Sequence, residues 1–547
     1  MTSNLDNEVI TKFRDQSISD KSSVISRQVL FITDNNQGSY NGQIKFDLDS
    51  LATSTNYLSY AEAYIEVPFI CSAESVIATV GGTNYAAKAS FKDLGKTGII
   101  IKDGYHHFID SFSIEMEGRT IQQIQPFTNV HAHFRMITSA TELDLTKNSA
   151  TTGFYKDSID ALGYSATPST AGIGYSNFNS VALTRGTETI VFDNTQNSII
   201  PYETNKTARI ENGLSYYSRE EGATNLDDRY HWVIMATIKL GDISDIFNKI
   251  PLTKTSSIRL TINYNSCQFD VGCSIDAPPL LTFGNYQQIS GSCNPIMANP
   301  EFLVPYNNAG DARIAGAIRF RINALNSGVG TRPILAITSA RLHVPSYKLA
   351  DNVSLAMLQS FPTTRIEYND IYTHTIPSIA ANEVFTYTLN TGVINPRYLV
   401  ICAFDKTNST GRLSYPTYQS PFDTAPATLG GITLTELNCQ IAGTNVLQEN
   451  VRYGWQNFLD QVVSINAVNG NLTTPGISSG LLNYFDYLLG YRYYVFNLSR
   501  REDSQNTLTK SITISGRNVS GTTIELICFI AYRQALEIDT ATGMLKP

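Results

Sequence analysis

The feature that most constrains this chain is a short alternation of apolar and polar residues that recurs from end to end. Ile44, Phe46 and Leu48 show it, as do Ile65, Val67 and Phe69; Phe112, Ile114 and Met116; and Ile258, Leu260 and Ile262. In the second half it returns at Ile318, Phe320 and Ile322, and at Phe385, Tyr387 and Leu389. A period of two places alternate side chains on one face of an extended backbone, so each segment predicts a strand with one buried face. Residues 524–530 begin the same way and then turn apolar throughout, which predicts a strand covered on both faces. Clusters of Asn, Gly, Ser and Thr separate these segments, as turns require.

Helical spacing is confined to short stretches: residues 240–250, residues 452–465 with Trp455, Phe458, Leu459, Val462 and Val463 on one face, and residues 479–489 stopped by Gly490. These fit as plugs over the ends of sandwiches or barrels. Residues 137–228 are rich in Ser, Thr, Asn, Gly and Tyr and show little periodicity, which predicts one or two long loops with a few short strands. A smaller loop region runs from residue 406 to about residue 450. Residues 1–24 are polar with nearly balanced charge and predict an N-terminal arm.

Composition agrees with a β protein. Charged residues are 16% of the 547, while Tyr (30) and Phe (25) are plentiful, a balance that disfavours long surface helices. Forty Lys and Arg against 48 Asp and Glu leave a net charge of −8, which argues against a protein that neutralises phosphates. No basic run or basic-aromatic stripe suggests sequence-specific reading of nucleic acid. Seven scattered Cys, with no C-x-x-C pair, predict buried thiols and no disulfide scaffold. The N-terminus has no apolar signal core, and no apolar run approaches the roughly 18 residues of a membrane span. A soluble protein that is not secreted through a signal peptide is the expectation.

Three pairs of segments look like copies of one another. Ala63–Pro68 (AYIEVP) resembles residues 340–345 (ARLHVP), residues 231–234 (HWVI) resemble 493–496 (YYVF), and 255–260 (TSSIRL) resemble 521–526 (GTTIEL). The similar offsets suggest two copies of one β-fold, divided where Asp276-Ala-Pro-Pro279 interrupts the strand pattern. The expected layout is an all-β chain of two tandem eight-stranded jelly-roll β-sandwiches with long loops and a few short helices. The arm spans 1–24, the first jelly roll 25–275 and the second 276–547.

No catalytic constellation emerges. His131-Ala-His133 would place two imidazoles on the same face of a strand, but no third metal ligand accompanies them. His106-His107 are adjacent on an expected strand, so their rings diverge. Gly476-Ile-Ser-Ser-Gly480 matches a nucleophile-elbow pattern, but loop residues precede it and α/β alternation is missing; a Ser N-cap explains it better. Neither a phosphate-binding loop, a dinucleotide fingerprint nor H-E-x-x-H occurs. The expectation is no enzyme, no metal and no cofactor.

The duplicated β plan, the segment WVIMATIKLGDISDIFNKIPLTKTSSIRLTINYN (232–265), the run ITISGRNVSGTTIELICFIAYRQALEIDTATGML (512–545) and the opening QGSYNGQIKFDLDSLATSTNYLSYAEAYIEVPF (37–69) resemble double jelly-roll major capsid proteins, most closely those of virophages and polinton-like viruses. The resemblance implies a homotrimer that forms a pseudo-hexameric capsomer in an icosahedral virion shell, next to other capsomers and to penton and minor capsid proteins. It also implies long loops outward and the arm inward. The arm lacks a basic tail, so it is expected to touch other capsid proteins or a membrane layer rather than genome. Tyr155, Tyr164, Tyr175, Phe178, Tyr216 and Tyr217 are the candidate loop or interface aromatics. The alternative is a β-sandwich receptor- or glycan-binding spike that uses the 137–228 loops.

Overall fold

A computed structural model describes residues 23–36, 42–51, 56–76, 78–80, 83–85, 99–101, 104–124, 126–154, 183–185, 188–190, 216–220, 229–254, 257–274, 280–298, 316–324, 339–390, 392–406, 418, 432–464, 481–489, 491–499, 509–540 and 544–546. Sixteen strands carry the architecture. The first eight are β1 (Val24–Thr33), β2 (Gln43–Asp47), β3 (Tyr64–Val76), β4 (Ile109–Met116), β5 (Arg119–Ile124), β6 (Arg229–Lys239), β7 (Ile258–Tyr264) and β8 (Arg341–Leu349). The second eight are β9 (Thr363–Ile379), β10 (Val384–Asn390), β11 (Pro396–Asp405), β12 (Leu434–Ile441), β13 (Thr444–Asn445), β14 (Tyr494–Asn497), β15 (Ile512–Asn518) and β16 (Ile524–Asp539).

These strands form two sandwiches with one topology. In the first, antiparallel pairing gives the order β1-β8-β3-β6 in one sheet and β2-β7-β4-β5 in the other. In the second, the orders are β9-β16-β11-β14 and β10-β15-β12-β13. Each order in the second sandwich is that of the first with every strand moved on by eight. Two sets of four antiparallel strands with this connectivity make a jelly roll, so the chain is two jelly rolls in tandem, the β1-β8-β3-β6 set being part of a larger nine-stranded sheet.

The alternation read in the sequence fills the space between the sheets. Ile44 and Phe46 of β2, Ile258, Leu260 and Ile262 of β7, and Ile65, Val67 and Phe69 of β3 are all buried. Their polar neighbours, such as Lys45 and Arg259, face outward. In β16 the first eight residues are buried on both faces, as the apolar run predicts. Something outside the sandwich must therefore cover its outer face.

The jelly rolls meet at a different place from the one expected. Strands on both sides of residue 276 belong to one sheet: Ser266–Ser274 pairs with Leu280–Ser290 and with Gly316–Ala324, which pairs in turn with β3. Strand β8, far beyond residue 276, closes the first sandwich between β1 and β3. The chain passes to the second sandwich through helix α3 (Asp351–Ser360), after which Thr363 opens β9. The Pro-Pro segment at 278–279 falls between two paired strands and does not divide domains. Only one of the three sequence matches joins equivalent strands, the one between β6 and β14. Ala63–Pro68 and 340–345 lie instead on β3 and β8, neighbours in one sheet, because strands with the same two-faced environment select similar residues.

Three further expectations are corrected. His131 and His133 sit on helix α1 (Thr128–Ser139), where two residues apart means roughly 200° around the axis, so they do not share a face. His106 and His107 lie in a single 3-10 turn, Tyr105–Phe108. The region read as loop from residue 137 opens with the end of α1 and with α2 (Glu142–Thr152). A capping box starts α2: the Thr141 hydroxyl accepts from Asp144 N at 3.2 Å, and Thr141 N donates to the Asp144 carboxylate at 2.9 Å. The other helical expectations correspond to Leu240–Ile243 and Asp245–Lys249, to α4 (Trp455–Ser464) and to α5 (Tyr484–Leu489).

Candidate assembly surfaces

Helix α1 is what covers the second jelly roll. It follows β5 and lies on the outer face of the β9-β16-β11-β14 sheet. The His131 ring stacks on Tyr398 of β11 with centroids 6.3 Å apart, and meets Phe529 of β16 at 5.5 Å. His133 stacks on Tyr491 at 5.7 Å, and Phe134 meets Tyr493 edge-on at 5.1 Å. The carbonyl of Ile137 accepts from Leu481 N at 2.9 Å. Ring pairs in these geometries add stabilisation beyond the area they bury.

Alongside the rings runs a polar seam. Gln122 of β5 donates to the Asp370 carboxylate at 3.2 Å and accepts from the Ser244 hydroxyl. Tyr532 donates to the other Asp370 oxygen at 2.7 Å, and Ile371 N to the first at 2.8 Å. Tyr368 donates to the Ile121 carbonyl at 2.9 Å. Beyond β16, Leu545 N donates to Glu117 of the first jelly roll at 3.3 Å. The two sandwiches are thereby held in one relation by apolar, aromatic and hydrogen-bonded contacts at once.

The electrostatics of the seam are set by burial. Burial, aided by the positive charge of Arg135, lowers the His131 pKa to about 3, so the imidazole is neutral. Burial raises the Tyr398 hydroxyl to about 12 and also raises Asp370, against the pull of its hydrogen bonds from Tyr532, Ile371 and Gln122. His106, in the 3-10 turn Tyr105–Phe108, is lowered by burial to about 4.

One cluster has the residue types of a thiol hydrolase. Cys293 Sγ lies 3.6 Å from His107 Nε2, and the Asn129 amide is 3.4 Å from the same nitrogen. Cys293, His107 and Asn129 have no exposed surface, so a substrate carbonyl has no route to the sulfur. Asn129 and Asn265 both donate to the His107 carbonyl, and Asn265 Oδ1 accepts from Ser292 N and Cys293 N. The cluster ties the turn at 291–294 to the 3-10 turn Tyr105–Phe108, to Asn129 of α1 and to Asn265. Among the described residues, no group of three or more His, Cys, Asp or Glu side chains is placed to hold a metal ion.

On the first jelly roll the equivalent outer face, that of β1-β8-β3-β6, stands partly open. Ile25, Val29 and Phe31 of β1 are exposed, and Phe31 lies under the Arg341 guanidinium at 5.3 Å. Next to them, Tyr64 and His343 stack at 4.7 Å, and His343 Nε2 is 3.0 Å from the Glu66 carboxylate. Arg27, Glu62 and Tyr347 form a linked cluster that pins β1 to its neighbours.

Of the candidate interface aromatics, Tyr216 and Tyr217 lie on a short strand, Tyr216–Glu220, that pairs with β6 opposite Val233 and Trp232. Tyr155, Tyr164, Tyr175 and Phe178 lie outside the described residues, as does the arm up to residue 22. The seam residues on α1 escaped the sequence reading. Val130, Phe134 and Ile137 have helical spacing, but the interleaved His131 and His133 read as strand alternation. Among the described residues, no helix is long and apolar enough to cross a membrane.

No family model matches the chain, and no curated protein matches it. Solved structures do. A chain of the Sputnik virophage structure, determined by cryo-EM, is 12% identical with a TM-score of 0.52, over 97% of this chain and 91% of that one. The mavirus major capsid protein is 11% identical with a TM-score of 0.46, over 97% and 93%, and the Faustovirus major capsid protein 10% identical with 0.45, over 96% and 94%. By strand order and by its likeness to the Sputnik virophage chain along nearly its whole length, this chain has the double jelly-roll fold.

Proposed function

We propose that the chain is a structural major capsid protein whose three copies form a pseudo-hexameric capsomer that tiles an icosahedral virion shell. The observation that carries this reading is the internal duplication: two sandwiches of identical strand order, fixed side by side by a buried seam. Three such chains around a threefold axis supply six similar blocks, the outline that packs hexagonally in a sheet. The fold shared with a chain of a virophage particle supports the same reading. The function is assembly without turnover, and the place of action is the virion. Neighbouring capsomers, penton proteins and minor capsid proteins are the partners. Tyr216 and Tyr217, together with Tyr155, Tyr164, Tyr175 and Phe178, are the aromatics proposed for loop or interface contacts.

The test is the solution mass of the purified chain followed by negative-stain microscopy. A mass three times 60.3 kDa and hexagonal particles that build sheets or spheres are expected. A discrete oligomer that binds glycans and never builds a shell would overturn the reading in favour of the spike.

A further inference from the structure

Four of the chain's seven histidines fall between residues 106 and 133, and all four are buried. Two of them grip the helices α1 and α2 at opposite ends. His131, in the first turn of α1, fits against Tyr398 and Phe529 of the second jelly roll. His106, in the 3-10 turn of the first jelly roll, packs on Phe154, which follows the Gly153 that ends α2. A positive charge is answered at neither place. The charged group that acts on His131 is Arg135, which repels a second cation, and the positive end of the α1 peptide dipole adds to that. Asp242 acts on Arg135, and Asp245 on Tyr398. His106 Nε2 has no hydrogen-bond partner, and burial alone sets its charge state. The start of α1 is also under constraint. It has no side-chain cap, and Phe127 before it has φ +72°, a left-handed backbone that a residue with a ring adopts only when its surroundings impose it.

We infer that α1 and α2 form an acid-released clasp: when His131 and His106 take up protons, the two helices pivot about Phe127 and lift, uncovering the outer sheet of the second jelly roll while both sandwiches stay folded. The sign is set by burial. Both imidazoles are held below their ordinary 6.5, so the seated state is favoured above that pH and loses ground below it. With seated values of about 3 and about 4, a fall from pH 7.5 to 5 favours the lifted state by about thirtyfold for each histidine, roughly a thousandfold for both. The buried carboxylates do not resist the movement. Asp370 is bonded by Tyr532, Ile371 and Gln122, and Asp110 by Ser292 and the Phe127 backbone at the pivot; none of these lies on α1 or α2. The Gln122–Asp370 bond continues to tie the sandwiches together, so the opening is local. Once lifted, α1 has 12 residues and no packed face, a length that is marginal for a helix in water. The clasp is a property of one chain and stands apart from the capsid reading.

The test is hydrogen–deuterium exchange of the full-length chain, read by mass spectrometry at pH 7.5 and 5 and corrected for the intrinsic pH dependence of exchange. At pH 5 the peptides of α1 and α2 are expected to lose protection by about a hundredfold or more, while those of β3, β7, β11 and β16 keep theirs. Protection is expected to return when pH 7.5 is restored. His131→Phe keeps a ring for Tyr398 and Phe529 but takes up no proton, so the acid loss at α1 should shrink by about thirtyfold. Unchanged protection of α1 and α2 at pH 5 overturns the inference, as does protection lost together with that of the strands. An acid loss as large in His131→Phe as in the wild type overturns it too. Should that variant fail to fold, the wild-type comparison of helices with strands decides by itself.

Discussion

His131, on a helix of the first jelly roll, lies parallel to Tyr398 of the second, with ring planes 12° apart and the Tyr398 hydroxyl 3.3 Å from His131 Nε2. A charged imidazole could not sit there without water, and burial holds it neutral with a pKa of about 3 instead of 6.5. The sign of the linkage follows. Above about pH 6.5 neither the folded nor the unfolded chain protonates this group, and stability is unaffected. Below that, the unfolded chain takes up a proton that the folded chain refuses, so stability falls as pH drops towards 3, by up to about 1.4 kcal/mol per pH unit for each such histidine. His106, lowered to about 4, adds a term of the same sign. Asp110 and Asp370, raised by burial, act oppositely: their contribution is full at low pH and is lost as pH rises through their native pKa, so they offset part of the acid loss. His131→Gln is expected to flatten the fall of melting temperature between pH 7 and 5. An unchanged slope would mean that the seam admits water and protons.

Phe134 tests the packing of the same seam. Its ring is buried on α1 against Tyr493, so Phe134→Ala removes the contact from both jelly rolls at once. Loss of a buried Phe ring costs about 3–5 kcal/mol. Urea unfolding followed by tryptophan fluorescence is expected to show that loss. A cost below about 1 kcal/mol would mean that the helix is not seated on the second jelly roll in solution.

Asp370 tests the polar side. Asp370→Ala leaves the Tyr532 hydroxyl, the Gln122 amide and Ile371 N without their acceptor in a buried place. An unsatisfied buried donor costs about 1–3 kcal/mol. Asp370→Asn keeps an oxygen and the volume, so calorimetry is expected to rank wild type, Asn and Ala in falling stability. If Ala matched Asn, the network would carry no energy.

How far the residues alone led depends on what surrounded each element. Strands with one wet face, such as β2 and β7, announced themselves by alternation, and β16 announced its double burial by an unbroken apolar run. The domain boundary was not visible, because β8 resembles β3 in sequence for the very reason that the two pair side by side in one sheet. α1 was hidden for a related reason. A helix buried on nearly all sides has no polar stripe to mark its period, and its histidines are neutral packing groups that look like ligands in a linear reading. Long-range pairing, which places β1 against β8, leaves no local trace at all.

Deletion tests the role proposed for the arm. Strand β1 begins at Val24, and Ser23 accepts a hydrogen bond from Ala350 N at 3.1 Å, so a deletion that spares the first jelly roll must stop at residue 22. Removing residues 1–22 is expected to leave the melting temperature and the oligomer intact and to impair shell formation, read by negative-stain microscopy. Intact shells after the deletion would exclude a role for the arm in joining capsomers.

Two glycines with nearly the same backbone separate steric from conformational strain. Gly291 and Gly443 have φ of +80° and +81°, a region that costs a residue with a side chain about 1–2 kcal/mol. Around Gly443 nothing lies within 4 Å of an added Cβ, so Gly443→Ala should show the backbone cost alone. At Gly291 the added carbon would overlap the Asn265 amide and come within 2.9 Å of the Asn265 backbone. Asn265 cannot swing aside without surrendering the bonds that its Oδ1 accepts from Ser292 N and Cys293 N. Gly291→Ala should therefore exceed Gly443→Ala by about 1–3 kcal/mol, the cost of taking the Asn265 acceptor from the buried Cys293 N, since Ser292 N keeps its bond to the Asp110 carboxylate. Paired urea titrations measure the difference. Equal losses would mean that the turn at 291–294 relaxes freely around Asn265.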